Sequence, residues 1–570
     1  MQMSRVSKIL LAMLALAALL LIGFRALGGS FGLSLLYVRY VMREESAPYR
    51  DIAWQQGPTS AAMPPRALNP DVPRHSNIVQ PNIVLIVVDD LGYADLTAHG
   101  PGLADGQVPT PSIDSIAEGG VNFAVGYSAN ATCAPSRAAI MTGRYPTRSG
   151  YEYTPTAPRF MKIVTSASRG KDTEDRALYF ADRERGQLPF EQMGLPTSEI
   201  TLGQLLQGVG YHTVHIGKWH LGETPEFRAS ARGFHESLSL QYGASMYLPE
   251  DDPRVVNATT DLNPLDRFLW AAGAWGVRYN DGEVFQPDRY LTDYFTDQAI
   301  EVIDANRHRP FFLHLAYNAP HTPLQATRED YAALPFIEDH TLRVYAAMIR
   351  SLDRGIGRVL AALRERGLED NTLVLFTSDN GAPHYISLGA RNAPFRGWKA
   401  TYFEGGIRVP LFMRWPAGLP QGKTVSGPAV HFDLFATAAA AAGAPLPKDR
   451  VIDGVDLLPF ARGERSGTPH ERIFWRTDRY LTLREGDWKL QSTQLPRTDR
   501  LHDLATDPLE QRNLAATQAE RLRAMKATLA RFDAEQAKPL WQSLGAMYVP
   551  IDRTLKEKPA PGEDYIYFSN

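Results

Sequence analysis

One cysteine occurs in the 570 residues, and its neighbours give it more to do than fill space. A lone cysteine closes no internal disulfide and builds no zinc knot; its bland use is as a small buried hydrophobe. Cys133 opens the string Cys133-Ala134-Pro135-Ser136-Arg137, with Thr142-Gly143 beyond it. Pro135 suits the first turn of a helix and Gly143 the far end, so the spacing predicts a helix beginning at Cys133. Unpaired N–H groups and the helix dipole favour an anion there. Arg137 adds a guanidinium able to hold an oxyanion at two points.

Other residue types point to a cation and to a second anion-binding group. Asp89-Asp90 follows the apolar run Ile83-Val84-Leu85-Ile86-Val87-Val88. Adjacent carboxylates at a strand end repel each other unless a cation neutralises them; a bare Asp-Asp pair would simply be a solvated turn. Asp379-Asn380-Gly381 follows a second apolar run, 373–377, in the same way. Three carboxylates and an amide oxygen make an all-oxygen donor set, which suits Ca²⁺ or Mg²⁺ rather than zinc. Lys218 and His220 lie two apart in Gly217-Lys218-Trp219-His220-Leu221-Gly222. In an extended segment they would face the same way and form an anion pocket. His321 stands on a stiff loop, Ala319-Pro320-His321-Thr322-Pro323, after a third apolar run, 311–316. Lys399, in Arg396-Gly397-Trp398-Lys399, precedes Glu404-Gly405-Gly406-Ile407-Arg408 and on its own carries little weight.

The elements that would position these residues are short, β-branched runs of the kind found in central strands covered on both faces. Helical patterns over 201–209, 293–305 and 341–364 lie between them. The alternation predicts an α/β fold, a large mixed, mostly parallel sheet sandwiched by helices. Ligands of such sheets lie beyond the carboxyl ends of the strands, and the chemical residues follow the apolar runs directly. From about Arg472 the pattern becomes short strands, near 473–475, 480–484 and 488–490, then a turn and a helix over 518–536. That predicts a small C-terminal antiparallel sheet with a packed helix.

The Cys-x-Pro-Ser-Arg string through Thr142-Gly143 is similar to the signature of the type I sulfatases, an arylsulfatase-like family of the alkaline phosphatase superfamily. The Asp-Asp, Gly-Lys-Trp-His, Ala-Pro-His and Asp-Asn-Gly strings follow that family's order, and the resemblance runs from about Pro81 to Leu514. It implies that Cys133 is oxidised to formylglycine by a formylglycine-generating enzyme, and that the hydrated aldehyde is the nucleophile. It implies one divalent ion, usually calcium, with Mg²⁺ as the alternative, on Asp89, Asp90, Asp379 and Asn380. It makes Lys218 a sulfate ligand, His220 a partner of the formylglycine, His321 the general acid for the departing alcohol, and Lys399 a contact of the sulfate and leaving oxygen. In the implied reaction the ion polarises the ester, Arg137, Lys218 and Lys399 stabilise charge on the sulfuryl oxygens, and a covalent sulfo-enzyme forms. His220 then helps the second hydroxyl to expel sulfate. The implied function is hydrolysis of a small-molecule or carbohydrate sulfate ester. Two alternatives stand beside it: a phosphonate monoester or phosphodiester hydrolase of the same superfamily, and an inactive membrane-associated binding protein if Cys133 stays unmodified.

A net charge of −3 gives no basis for nucleic-acid binding. Arg5 and Lys8 precede an uncharged apolar run over 9–24, shorter than the ~20 residues of a membrane span. It fits a signal sequence or short anchor over 1–42 that places the rest outside the cytoplasm, in a bacterial periplasm. Cleavage near Ala26-Leu27-Gly28 and retention as an anchor both fit. A Pro-rich linker is expected over 43–80, a catalytic domain over 81–465, and a C-terminal subdomain and tail over 466–570. Two insert-like stretches, 154–194 and 242–286, are rich in aromatic and charged residues and read either as rim loops of a substrate pocket or as surface elaboration.

Overall fold

A run such as Ile83-Val84-Leu85-Ile86-Val87-Val88 has no polar side to offer water, so it needs cover on both faces. In the computed structural model, which describes residues 29–42, 46–58, 80–166, 177–240, 242–260 and 264–569, that run is the strand β1 (Asn82–Val88), buried along its whole length. Successive side chains alternate between faces. Val84, Ile86 and Val88 join a core with the helices Leu291–Asn306 and His340–Glu365. Ile83, Leu85 and Val87 join a second core with the helices Cys133–Thr142, Leu202–Gly208 and Asp433–Ala442.

The central strands are parallel. β2 (His212–Gly217), β3 (Glu236–Leu240), β4 (Phe311–Ala316) and β5 (Thr372–Ser378) flank β1 in the spatial order β5-β1-β4-β2-β3. Outer pairings, all but one of them antiparallel, complete a ten-stranded mixed sheet on either side. The register sets Val88 beside Ser378, Val87 beside Ala316, and Ala316 beside Gly217. The segments after β1, β2, β4 and β5 therefore emerge at one edge.

The C-terminal strands Arg472–Thr477, Tyr480–Glu485, Trp488–Gln494 and Arg497–Asp503 form an antiparallel sheet. Leu483, Leu490 and Leu501 of that sheet pack on Met525 and Leu529 of the helix Ala519–Ala534. The tail then returns to the main body: Gly545–Pro550 pairs with Tyr565–Ser569 and, across the first insert, with Leu178–Tyr179.

The expected signal or anchor core over 9–24 lies outside the described residues. Among the described residues no helix is long and apolar enough to cross a membrane. The helix α1 (Gly29–Tyr37) packs through Phe31 against Ile163 and Ala271 of the two inserts. Residues 46–58 have neither helix nor extended strand, but they lie on the main body. Trp54 is buried and donates to the side-chain oxygen of Gln298 at 2.8 Å, and the Gln55 amide donates to Glu236 at 2.9 Å.

Candidate active site

The helix α2 (Cys133–Thr142) begins at Cys133, as the spacing predicts, and every residue in it is buried. It stops at Gly143, whose φ of 70° is left-handed, and a Cβ there would meet the Phe435 ring at 2.6 Å. Glycine alone fits that turn without strain.

The strand ends bring the acidic residues to the mouth of this helix. The Asp379 amide donates to the Val88 carbonyl at 3.0 Å, and the Asp90 amide donates to Asp379 Oδ1 at 3.2 Å. Asn380 Nδ2 donates to Asp90 Oδ1 at 2.7 Å. The remaining side-chain oxygens of Asp89 (Oδ1) and Asn380 (Oδ1) are buried and have no hydrogen-bond partner among the described residues. Leaving a buried acceptor unpaired costs free energy, and oxygen ligation of a hard cation would remove that cost. The all-oxygen donor set of Asp89, Asp90, Asp379 and Asn380 therefore fits a hard divalent cation. Donor atoms of Asp89, Asp90, Cys133 and His321 also gather within 4.8 Å of one another.

Three cationic side chains face the three carboxylates. Lys218 Nζ donates to Asp89 Oδ2 at 2.6 Å. Lys399 Nζ lies 2.7 Å from Asp90 Oδ1 and 3.3 Å from Cys133 Sγ. Arg137 donates through Nε and Nη2 to Asp379 Oδ2 at 2.9 and 2.8 Å, and through Nη1 to the Lys218 carbonyl at 2.9 Å. Its fork thus holds the Asp379 carboxylate and the backbone that carries Lys218. Burial pushes the Cys133 thiol up, but the Lys218 and Lys399 ammonium groups outweigh it, and the thiol settles at about 6.

His321 Nε2 is 3.6 Å from Asp90 Oδ2, and its Nδ1 lies 2.6 Å from the Thr322 carbonyl. Burial opposes its charged form, yet Asp89 and Asp90 outweigh burial and raise its pKa. His220 is instead pushed well below the usual imidazole range, first by burial and then by Lys218 and Arg137, which favours its neutral form. All ten residues named from the sequence reach this one region. The route taken by Lys218 and His220 differs from the extended alternation expected of them: β2 ends at Gly217, and His220 has a left-handed φ of 59°. A turn, with Tyr151 Oη donating to the His220 carbonyl at 3.1 Å, delivers the imidazole.

Two supporting tyrosines escaped the sequence reading. Tyr385 Oη donates to Asp90 Oδ2 at 3.4 Å. Tyr247, from the second insert, puts its hydroxyl 2.8 and 2.9 Å from the carbonyls of Asn318 and His321 and so pins the His321 loop. Tyr385 had a weak signal, four residues past Gly381; Tyr247 had none. A buried charge cluster was also missed. Lys489 Nζ reaches Glu404 Oε1 at 2.7 Å and Glu510 Oε1 at 3.1 Å, all three side chains being almost wholly enclosed. It ties the C-terminal sheet to the segment behind Lys399.

A doubly covered mixed sheet thus gathers carboxylates, ammonium groups and a helix N-terminus at its strand ends. A family profile described as Sulfatase matches residues 81–444. The chain is 34% identical over 420 residues to N-acetylgalactosamine-6-sulfatase of Mus musculus, covering 72% of this chain and 71% of that one. It is 32% identical over 462 residues to steryl-sulfatase of Homo sapiens, covering 70% and 73%. Among solved structures, Ps i-CgsB in complex with k-i-k-neocarrahexaose superposes with a TM-score of 0.66 at 32% identity, covering 81% of this chain and 94% of that one. The chain belongs to the sulfatase family and is a sulfuric ester hydrolase.

Proposed function

We propose that this enzyme hydrolyses sulfate esters with residue 133 in its formylglycine form and one divalent ion, calcium in preference to magnesium, on Asp89, Asp90, Asp379 and Asn380. The observation that carries the reading is the pair of donor-free buried oxygens, Asp89 Oδ1 and Asn380 Oδ1, beside a helix N-terminus that presents Cys133. The ion, when bound, supplies positive charge that polarises the ester and acidifies a nearby hydroxyl. The hydrated aldehyde supplies two hydroxyls on one carbon, one for attack and one for later release of sulfate.

The chain's own residues do the rest. Lys218 and Lys399 face the sulfuryl oxygens and stabilise their growing charge. Arg137 holds Asp379 and the Lys218 backbone in register, a positioning role rather than direct contact with sulfate. His321, biased toward its protonated form by two aspartates, gives a proton to the leaving alkoxide. His220, biased toward neutrality, takes the proton whose loss lets sulfate depart. Maturation calls for a formylglycine-generating enzyme. The apolar run over 9–24 supports export to a periplasm, and the exposed side chains of Leu33, Leu36 and Tyr40 support a membrane-facing N-terminus.

Intact-mass analysis tests the modification: replacing CH₂SH by CHO lowers the mass by about 18 units. Sulfate release from an aryl sulfate, abolished by chelation and restored by Ca²⁺, tests the rest. An unmodified thiol in protein that turns over fully would overturn the proposal.

A further inference from the structure

We infer that the alcohol half of the substrate is a large apolar ring system rather than a sugar. The inference rests on the sulfatase reading and concerns what occupies the space beyond the reacting groups. Cys133, His220, His321 and Lys399 open into a cavity of about 800 Å³, within the size range of small-molecule sites. Both inserts build its walls. The helix α3 (Pro158–Ser166) and the helix α4 (Pro264–Ala272) stand side by side, with Phe160 packed edge-to-face on Phe268 at 4.7 Å between centroids. Leu269, Met246, Trp275 and Phe190 continue the apolar lining.

Three hydroxyls on this wall give their protons to the chain's own carbonyls and have none left to donate to a ligand. Ser46 donates to the Trp275 carbonyl at 2.9 Å, Thr156 to the Thr154 carbonyl at 3.0 Å, and Ser245 to the Met246 carbonyl at 2.8 Å. Against the stretch formed by Phe160, Phe268, Leu269, Met246 and Trp275 a sugar would leave hydroxyls facing hydrocarbon, and each unmatched polar group costs affinity. Apart from the reacting cluster, the one cation on the wall among the described residues is Arg159, and its guanidinium lies over the Tyr37 ring at 5.9 Å. The carboxylates of Glu191 and Glu223 share the wall and would repel further sulfates of a polyanionic glycan. An apolar ring system meets none of these costs and gains by leaving water.

The test compares sulfate release from a fused-ring steroid sulfate, 4-nitrophenyl sulfate and N-acetylgalactosamine 6-sulfate by the modified enzyme. The inference expects kcat/KM for the fused-ring ester to exceed that for the sugar by at least about a hundredfold. Phe268→Asn should lower the ratio of the fused-ring to the 4-nitrophenyl kcat/KM about tenfold, the scale of losing one buried aromatic contact. Calorimetric binding of the same three esters to Cys133→Ala gives a readout independent of turnover. If 4-nitrophenyl sulfate is cleaved but the sugar ester is preferred, the inference falls and the sulfatase reading stands. If no ester is cleaved, the mechanism falls, and binding alone decides: selective uptake of the fused-ring ester upholds the inference, and its absence overturns it.

Discussion

Replacing Lys489 by methionine tests whether the C-terminal sheet is welded to the catalytic body by charge. The Lys489 ammonium sits with side-chain exposure of 0% between Glu404 (1%) and Glu510 (0%). Glu404 also accepts from Tyr127 and Arg408, while the second oxygen of Glu510 accepts from the Glu404 amide at 2.6 Å. Methionine keeps most of the volume and removes the charge. Breaking a buried ion pair by deleting one partner costs about 3–5 kcal/mol. With unfolding entropy of about 2.1 cal/mol/K per residue across 570 residues, that corresponds to a fall of about 2.5–4 °C in Tm. The loss should depend on pH in a stated direction. Burial, followed by Glu404, raises the Glu510 carboxyl above its ordinary value, and Lys489 opposes this; without Lys489 it rises further. A carboxyl whose folded pKa exceeds its unfolded one binds protons better when folded, so its contribution falls as pH rises. The gap in Tm between the parent and Lys489→Met should therefore be wider at pH 8 than at pH 5.5. Paired thermal melts at the two pH values read this directly. A gap that is absent, or wider at the acidic pH, refutes the argument.

Cys133→Ser should accumulate a sulfo-enzyme and then turn over at least about a hundredfold more slowly, because a serine ester lacks the second hydroxyl that expels sulfate; a burst without steady state in stopped-flow release of the alcohol, with the sulfuryl group retained on the protein, is the signature. Chelation should lower Tm as well as activity, since an ion bound only to the folded state stabilises it by mass action, and Ca²⁺ should reverse both. Arg137→Lys keeps the charge but loses the fork on Asp379, so the calcium dissociation constant should rise about 10–100-fold by calorimetric titration. Burial holds His215 and His384 at about 3 and His431 at about 4, below the ordinary imidazole value of about 6.5. The unfolded chain then binds more protons, so stability is complete above 6.5 and is lost as pH falls toward 4, by about 1.4 kcal/mol per pH unit for each group; melts at pH 7, 6 and 5 that coincide would exclude this.

The proposed reacting half of the site could be read because most of its residues lie within a few positions of a strand or helix end. Asp89, Asp379 and Lys218 follow β1, β5 and β2 directly, and a parallel register of buried apolar runs admits only one edge at which those ends can meet. Local rules failed where the chain left them: Lys218 and His220 were read as an extended pair, whereas His220 needs a left-handed backbone that only the surrounding contacts impose. The charge cluster was invisible for another reason. Lys489 and Glu404 lie 85 residues apart, and neither motif shows that its ion has a partner in the other. The walls of the cavity are the extreme case. The helices α3 and α4 and the tail strand Gly545–Pro550 come from three separate parts of the chain and touch only in the folded state, so periodicity reports that each has an apolar side and not what that side faces. On the proposed reading, chemistry is written at element ends, where a short string suffices, and choice of alcohol in segments whose meaning is wholly tertiary. It follows that exchanging α3 and α4 for polar-faced helices should redirect the enzyme among sulfate esters without moving a single group that touches sulfur.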